Sequence, residues 1–382
     1  MKFKIFTLIA GLGVFVAALM FANGETMDSE TLFMNWIFTP AEIVDIIEDN
    51  TFIDPNHPDD LMGNLLYEVR LSRGERAGEY MEARIHISPM RPLLFEAGDR
   101  VIVRYNNYGG DIHSAEIYNW DRSRILIGMI VVFLGVLVAL GGKSGVKTVA
   151  SLVFTMVSLL FILNPLILRG FPAILTTFAV LSFVTVIVLI FIGGLTKKTA
   201  VSILSCIFGV LFAALASHIA GWLASINGLN TGEIGTLIMI GDNNGVAIDA
   251  SGLFISGVLI ASLGAVMDTA VSIASSTQEL KLANPSMTRS ELLKASYAIG
   301  KDVMGTMANT LILAFAGSSL NMVLTLSALQ IPFAQMINND FIGVEIIRSL
   351  AGSLGIALTV PAAAIIGSFL YSKEPNDPRT EV

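Results

Sequence analysis

Charge is scarce in this chain. Only 14% of its 382 residues are Asp, Glu, Lys or Arg, 54% are hydrophobic, and the mean hydropathy is +0.72. A soluble domain of this length needs far more charge to cover its surface, so the composition requires a polytopic membrane protein. Cysteine is nearly absent too. Cys206 stands alone in an apolar run, which excludes an intrachain disulfide and any Cys-pair metal site. The four histidines (His57, His86, His113 and His218) share no ligand spacing such as HExxH. No metal and no cofactor is expected. Repeats of about 20–50 residues are missing, as are an inverted repeat and any low-complexity tract.

Long apolar runs are what the chain has instead. A helix needs about 20 such residues to cross the hydrocarbon. Eight candidate spans bounded by charge lie near 4–22, 123–141, 147–168, 172–194, 199–224, 251–276, 302–327 and 345–371. The first begins with Lys2 and Lys4 ahead of an apolar core. A cleaved signal peptide has the same outline, but its A-x-A-like site is poor here, so an uncleaved anchor is the preferred reading. Lys143 and Lys147, then Lys197 and Lys198, fall in short loops. Lys281, Arg289, Lys294 and Lys301 share a third, and Lys373 and Arg379 lie in the tail. With the N-terminus inside, all of these are cytoplasmic, while the opposite loops hold little more than Arg169 and Arg348. That is the positive-inside pattern, with both termini inside.

The fold expected is an α-helical polytopic membrane protein of about eight transmembrane helices, with a small extracytoplasmic β-rich domain after the first helix. Its parts are an anchor (1–22), the β-rich domain (23–122), a seven-helix membrane domain (123–371) and a cytoplasmic tail (372–382). In the β-rich part, "LLYEVRLSRGERAGEYMEARIHI" (65–87) alternates apolar and polar residues around a charged Gly turn, which predicts a hairpin. "AGDRVIVRYNN" (97–107) and "HSAEIYNWDR" (113–122) predict two further strands, and together they suggest a barrel. The tip Arg73-Gly74-Glu75-Arg76 reads as a solvated turn.

In the sixth span, Gly257, Ala261, Gly264, Asp268, Ser272, Ser275 and Glu279 recur at helical spacing and share one face. One half of this face is small, which lets a second helix approach closely. The other half is polar and acidic. An ionisable group at the depth of Asp268 is expensive and faces protein or water. The seventh span offers Asp302, Gly305, Asn309, Ala316 and Ser319 along one face, flanked by Thr306 and Thr310. Asp268 and Asn309 fall at similar depth. Gly257, Gly264 and Gly305 are the expected helix-packing positions. The bland alternative is that the hydroxyls are structural, since they readily bond their own helix backbone. Glu279 and Asp302 also read as helix-end charges.

The glycine-rich "IGDNNGVAIDASG" (240–252) leads into the sixth span, with Asp249 or Ser251 as its N-cap. The preceding "GEIGTLIMIG" (232–241) is apolar but too short to span, which leaves a re-entrant segment over 232–250 open.

"SGVLIASLGAVMDTAVSIASSTQEL" (256–280), followed by "GKDVMGTMANTLILAFAGSSL" (300–320), resembles the signature of the YibE/F-like family of bacterial multi-spanning membrane proteins. The resemblance extends to "AGDRVIV" (97–103), "YNWDRSRILIGM" (118–129) and "GGKSGVK" (141–147). The matching residues are Gly264, Asp268, Glu279, Gly300, Asp302, Gly305, Met307, Asn309 and Thr310. The resemblance implies an integral membrane protein, in a family sometimes labelled as efflux proteins, and it names no substrate.

Three lookalikes fail. "ALGGKSG" (139–145) lacks the first glycine of a phosphate-binding loop, position 137 being Leu. "DNNG" (242–245) lacks the alternating acids and distant Glu of a calcium loop. Asp268 and Asp302 lie at different depths, which argues against an aspartic-protease dyad. No catalytic residue is expected, and no basic face interleaved with aromatics suggests nucleic acid. The leading expectation is a transporter or efflux permease of the cytoplasmic membrane, its pathway formed by Asp268, Ser272, Glu279, Asp302, Asn309 and Thr310. The rival is a non-transporting scaffold or sensor whose external domain binds an envelope partner. The partners expected are the lipid bilayer and either a second copy or an envelope protein.

Overall fold

The computed structural model describes residues 15–22, 36–55, 57–74, 76–89, 92–108, 111–229 and 234–372. Lys2, Lys4, Glu75, Lys373 and Arg379 lie outside them, as do most of the expected first span and the whole tail beyond 372. The chain divides into two compact units, residues 28–136 and the remainder.

The smaller unit contains a closed five-stranded barrel with strand order β1-β2-β3-β5-β4. Its strands are β1 (Trp36–Asp54), β2 (His57–Leu71), β3 (Tyr80–Ile87), β4 (Arg100–Tyr108) and β5 (Asp111–Trp120). Alternation sets the faces, because successive side chains on a strand point opposite ways. Leu65, Tyr67, Val69 and Leu71 of β2, Ala83, Ile85 and Ile87 of β3, and Val101 and Val103 of β4 are all buried. Neighbouring strands run antiparallel except β3 and β5, which are parallel and register at one pair, Arg84↔Glu116. The four strands expected from sequence, two in the hairpin and two beyond it, are present as β2 to β5. β1 is the addition: bulges near Ile43/Asp45 and Ile46/Glu48 break its alternation, and its far half is exposed on both faces. One polar group in this core is fully partnered. The Tyr67 hydroxyl donates to the Phe95 carbonyl at 3.3 Å and accepts from the Phe95 amide at 3.2 Å.

The larger unit is helical, with the first part of α2 (Ser123–Ser158), up to Val136, counted in the smaller one. Helix α1 covers 15–22, followed after the barrel by α2, a π-helical turn (Leu159–Leu163), α3 (Asn164–Leu168), α4 (Ala173–Gly193) and α5 (Lys197–Leu223). Then come α6 (Ile234–Asn243), α7 (Ala250–Ala283), α8 (Arg289–Ser318), α9 (Leu320–Ala328), α10 (Phe333–Ile337) and α11 (Asp340–Ser372). Among the described residues five helical runs are long and apolar enough to cross a membrane, or six if α8 and α9, bent by 54°, count together. The sequence predicts eight. Part of the difference lies in Ser123–Leu168, a single run of 46 residues covering two expected spans. Gly142 interrupts it at φ 53°. A Cβ on Gly145 would lie 2.1 Å from the Leu137 carbonyl oxygen, so the chain doubles back there. Helix α6, at ten residues, is about 15 Å long and too short to cross. Asp249 occupies the N-cap position of α7 but makes no capping hydrogen bond. Thr288 caps α8 reciprocally with Glu291, a start signal the sequence carries as "TRSE".

Helices α5, α7 and α11 form the packed centre, with Cys206, Val258, Leu259, Val266, Ala270 and Ile356 fully buried. In lipid the hydrophobic effect does little to join helices, so close approach must supply the attraction. The closest contacts differ from those expected. A Cβ on Gly209 of α5 would lie 1.9 Å from Thr359 Oγ1 and 2.8 Å from Val266 Cγ1. One on Gly355 of α11 would lie 2.8 Å from Ala213 Cβ, and one on Gly300 of α8 would lie 2.5 Å from Val360 Cγ1. Gly264 and Gly305 instead have nothing within 4 Å, and Gly257 makes only an ordinary 3.7 Å contact with Arg348. Hydroxyl pairs add lateral ties: Thr177 Oγ1 to Ser256 Oγ and Thr277 Oγ1 to Ser296 Oγ, both at 2.9 Å.

Candidate functional site

Helix α7 is buried on nearly every side. The exception is a narrow strip containing Ala261, Gly264, Asp268, Ser272 and Glu279, all exposed. These are five of the seven residues of the stripe read from sequence; the other two, Gly257 and Ser275, are half-buried. Around Asp268 the strip becomes the floor of a cleft of about 530 Å³. Leu189, Ile192 and Gly193 of α4 form one side, with Lys198, Thr199 and Ser202 of α5. Met307 of α8 closes another, and Met267, Val271 and Ser272 flank Asp268 on α7.

The local chain explains how the polar groups reach the cleft. Gly194, at φ 72°, ends α4 in a conformation that favours glycine. Thr196 then caps α5, its hydroxyl accepting from the Thr199 amide at 3.2 Å. This short connection sets the first turn of α5, including Lys198, beside the middle of α7. Among the described residues neither Asp268 nor Lys198 makes an ion pair, and Asp268 makes no hydrogen bond. The cleft thus combines one carboxylate, one ammonium and three hydroxyl-bearing side chains with mostly aliphatic and thioether walls.

The sequence-derived set is only partly assembled. Asp268 and Ser272 line the cleft together. Glu279 is exposed, further along α7, and does not line it. Asp302, Asn309 and Thr310 are exposed on α8 and do not line it either. The physical reason is rotation about α8: residues 307 and 309 are separated by about 200° at 100° per residue, so turning Met307 inward turns Asn309 outward. Thr306 and Thr310 bond their own helix, donating to Val303 O at 3.0 Å and Thr306 O at 2.9 Å.

Two features escaped the sequence. Lys198 reads there as a topology marker, although its place in the first turn of α5 puts it in the cleft. Arg348 reads as a loop charge, yet it lies inside α11 and its Nη1 donates to Glu345 Oε1 at 2.6 Å. Its guanidinium lies 6.0 Å from the Phe315 ring centre, and its Nη2 is the nearest group to Gly257. Glu345 Oε2 and Arg348 Nε are buried without a hydrogen-bond partner among the described residues. The i,i+3 acid–base spacing was the available signal. This ion pair adjoins one end of the α7 stripe, about 16 Å of helix from Asp268.

Among the described residues no three His, Cys, Asp or Glu side chains gather as a metal site. Comparison with known proteins adds one finding: residues 129–373 match the family model for YibE/F-like protein. Neither a curated protein nor a solved structure matches the chain. The matched segment contains α4 to α11, hence the whole cleft, and excludes the barrel strands. Apolar helices and this match identify a multi-pass membrane protein. Because the match covers more than half of its length, the chain belongs to the YibE/F-like protein family.

Proposed function

We propose that this protein is a permease that handles a small solute at the Asp268 cleft. The observation that carries the reading is the exposed strip on α7, a helix otherwise largely buried. It places a carboxylate with no hydrogen bond among the described residues in a cleft shared with Lys198 and Ser272. A charge within a membrane span is costly unless water or a partner reaches it, and such residues mark solute pathways. The polar floor would hold the solute's charged or hydrogen-bonding group, and the walls of Leu189, Ile192, Met267 and Met307 its apolar part. The basic loops support a cytoplasmic-membrane orientation with both termini inside and the barrel outside. In that orientation the mouth near Lys198 would open on the cytoplasmic side.

Cysteine accessibility tests the reading. In a Cys206→Ala background, Asp268→Cys and Ser272→Cys are compared with Leu313→Cys and Ile130→Cys, which occupy exposed apolar positions. A charged, membrane-impermeant thiol reagent is applied to inside-out vesicles. Labelling at 268 and 272 at least tenfold faster than at both controls is the expected result. Equal, slow labelling at all four positions in folded protein would defeat the pathway.

A further inference from the structure

A second concavity lies in the barrel and plays no part in the reading above. It is a groove of about 500 Å³ over the seam of β3 and β5, within the ~300–1,000 Å³ range of small-ligand sites. Alternation on β3 turns Glu82, Arg84 and His86 outward into it, and Arg104 of β4 and Glu116 of β5 face them. The two strands register only at Arg84↔Glu116.

The groove is partly pre-organised. Arg104 donates to Glu116 Oε2 through Nε at 2.9 Å and Nη2 at 2.5 Å, and its guanidinium lies 4.9 Å from the Trp36 ring centre. His86 Nδ1 is 3.1 Å from Asn64 Oδ1. Glu82 and Arg84 have no ion-pair partner among the described residues. Phe38 stands across the strands from Arg104, 53% exposed, in edge-on contact with the 48% exposed Tyr118 at 5.2 Å.

We propose that this barrel is a glycan-binding module whose groove takes an uncharged, hydroxyl-rich oligosaccharide. Charge selects this class. Arg84 and Arg104 are balanced by Glu82 and Glu116, so the groove lacks the positive excess that a phosphate backbone or other polyanion requires. Geometry selects it too. Guanidinium and carboxylate groups are planar forks that bond two neighbouring atoms at once, and neighbouring sugar hydroxyls both donate and accept. The exposed Phe38 and Tyr118 beside the pair offer apolar faces against which a sugar ring's C–H surface stacks. The proposal does not rest on the permease reading.

The test uses the full-length protein in lipid nanodiscs on an array of neutral and charged glycans. The best neutral hit, with chitotetraose and maltotetraose alongside, is then titrated by tryptophan fluorescence. Heparin, a dT15 oligonucleotide and a poly-Glu peptide serve as polyanions. The expected result is saturable binding of a neutral oligosaccharide, weakened about ten- to a hundredfold by Arg84→Ala and by Glu82→Gln. The remote, exposed Asp59→Asn leaves binding unchanged. Both test residues are exposed, and two variants guard against one failing to fold. No neutral glycan bound, binding indifferent to both substitutions, or preference for the polyanions would each overturn the proposal.

Discussion

Gly209 is where the helical packing is tightest, and Gly209→Ala measures it. The added Cβ would sit 1.9 Å from Thr359 Oγ1, where ordinary contact begins near 3.4 Å. Helices α5 and α11 must therefore separate by roughly 1.5 Å, or Thr359 must rotate. Rotation breaks the 2.8 Å bond from Thr359 Oγ1 to Gly355 O and leaves the second clash, 2.8 Å to Val266 Cγ1. Adding one methyl to a packed interior costs about 1–3 kcal/mol, and two simultaneous clashes put this case toward the upper end. At about 2–4 °C per kcal/mol for a domain of this size, the unfolding midpoint falls by several degrees.

The lone cysteine supplies the assay. Cys206 is fully buried and three residues from Gly209, so a fluorogenic maleimide reaches it only as the helices open. The labelling midpoint on heating is the readout. Gly264→Ala is the control: it adds the same atom where nothing lies within 4 Å, so its midpoint stays at the wild-type value or rises. Thr359→Ala in the Gly209→Ala background removes one clashing atom and recovers part of the loss, a coupling on the order of 1 kcal/mol. A Gly209→Ala midpoint equal to wild type, or below-wild-type stability in Gly264→Ala instead, would refute this assignment of the packing.

Two barrel predictions accompany it, beside the cysteine-accessibility and glycan tests. Burial pushes the Tyr67 phenol above its usual range, with its bond to Phe95 acting the other way. A raised folded-state value contributes stability that is complete below the ordinary tyrosine value of about 10 and is lost as pH rises through it toward the folded value. Wild-type barrel stability therefore falls on the alkaline side, and Tyr67→Phe, about 1 kcal/mol less stable at neutral pH, loses less there. Identical alkaline slopes in chemical unfolding followed by tryptophan fluorescence would count against the buried phenol. Gly63 lies at φ +127° and a Cβ there would meet Asn50 O at 2.2 Å, whereas Gly78, at φ +92°, has open space. Gly63→Ala thus combines a clash with strain and loses more than the ~1–3 kcal/mol that strain alone costs at Gly78→Ala. Equal losses would place β1 and β2 wrongly.

Most of the barrel was legible because alternation survives wherever one face of a strand is buried. Strand β1 was not. Its bulges shift the register at Ile43/Asp45 and Ile46/Glu48, and its distal half has no buried face to impose a pattern. In the membrane the spans α4 and α5 fell within two residues of their expected limits at both ends, because charge or a helix-breaking Pro or Gly bounds them. The tight glycines had a readable signal that spacing on α7 overshadowed. Gly209 precedes Ala213 by four residues, and Ala351 precedes Gly355 by four, the small-xxx-small pattern of close helix contacts.

The two polar stripes carry the same residue types and meet opposite fates, and packing rather than composition separates them. On α7 the residues off the stripe, such as Val258, Leu259, Val266, Ala270 and Ile273, are fully buried, so the stripe is left as a cleft floor. On α8 only Leu292, Ser296, Gly300 and Leu311 are buried, one face seated on the core, while Asp302, Gly305 and Asn309 fall on the other side. Apolar residues run nearly all round both helices, so neither pattern points inward on its own. Direction came from the close approach at Gly300, where a Cβ would meet Val360 of α11 at 2.5 Å and Ile273 of α7 at 3.2 Å. That contact fixes the rotation of α8, turns Met307 toward Asp268, and takes Asn309 out of the site. A Gly300→Val variant should therefore disturb labelling at an introduced Asp268→Cys although it touches no cleft residue. Unchanged labelling would mean that something other than this contact sets the cleft wall.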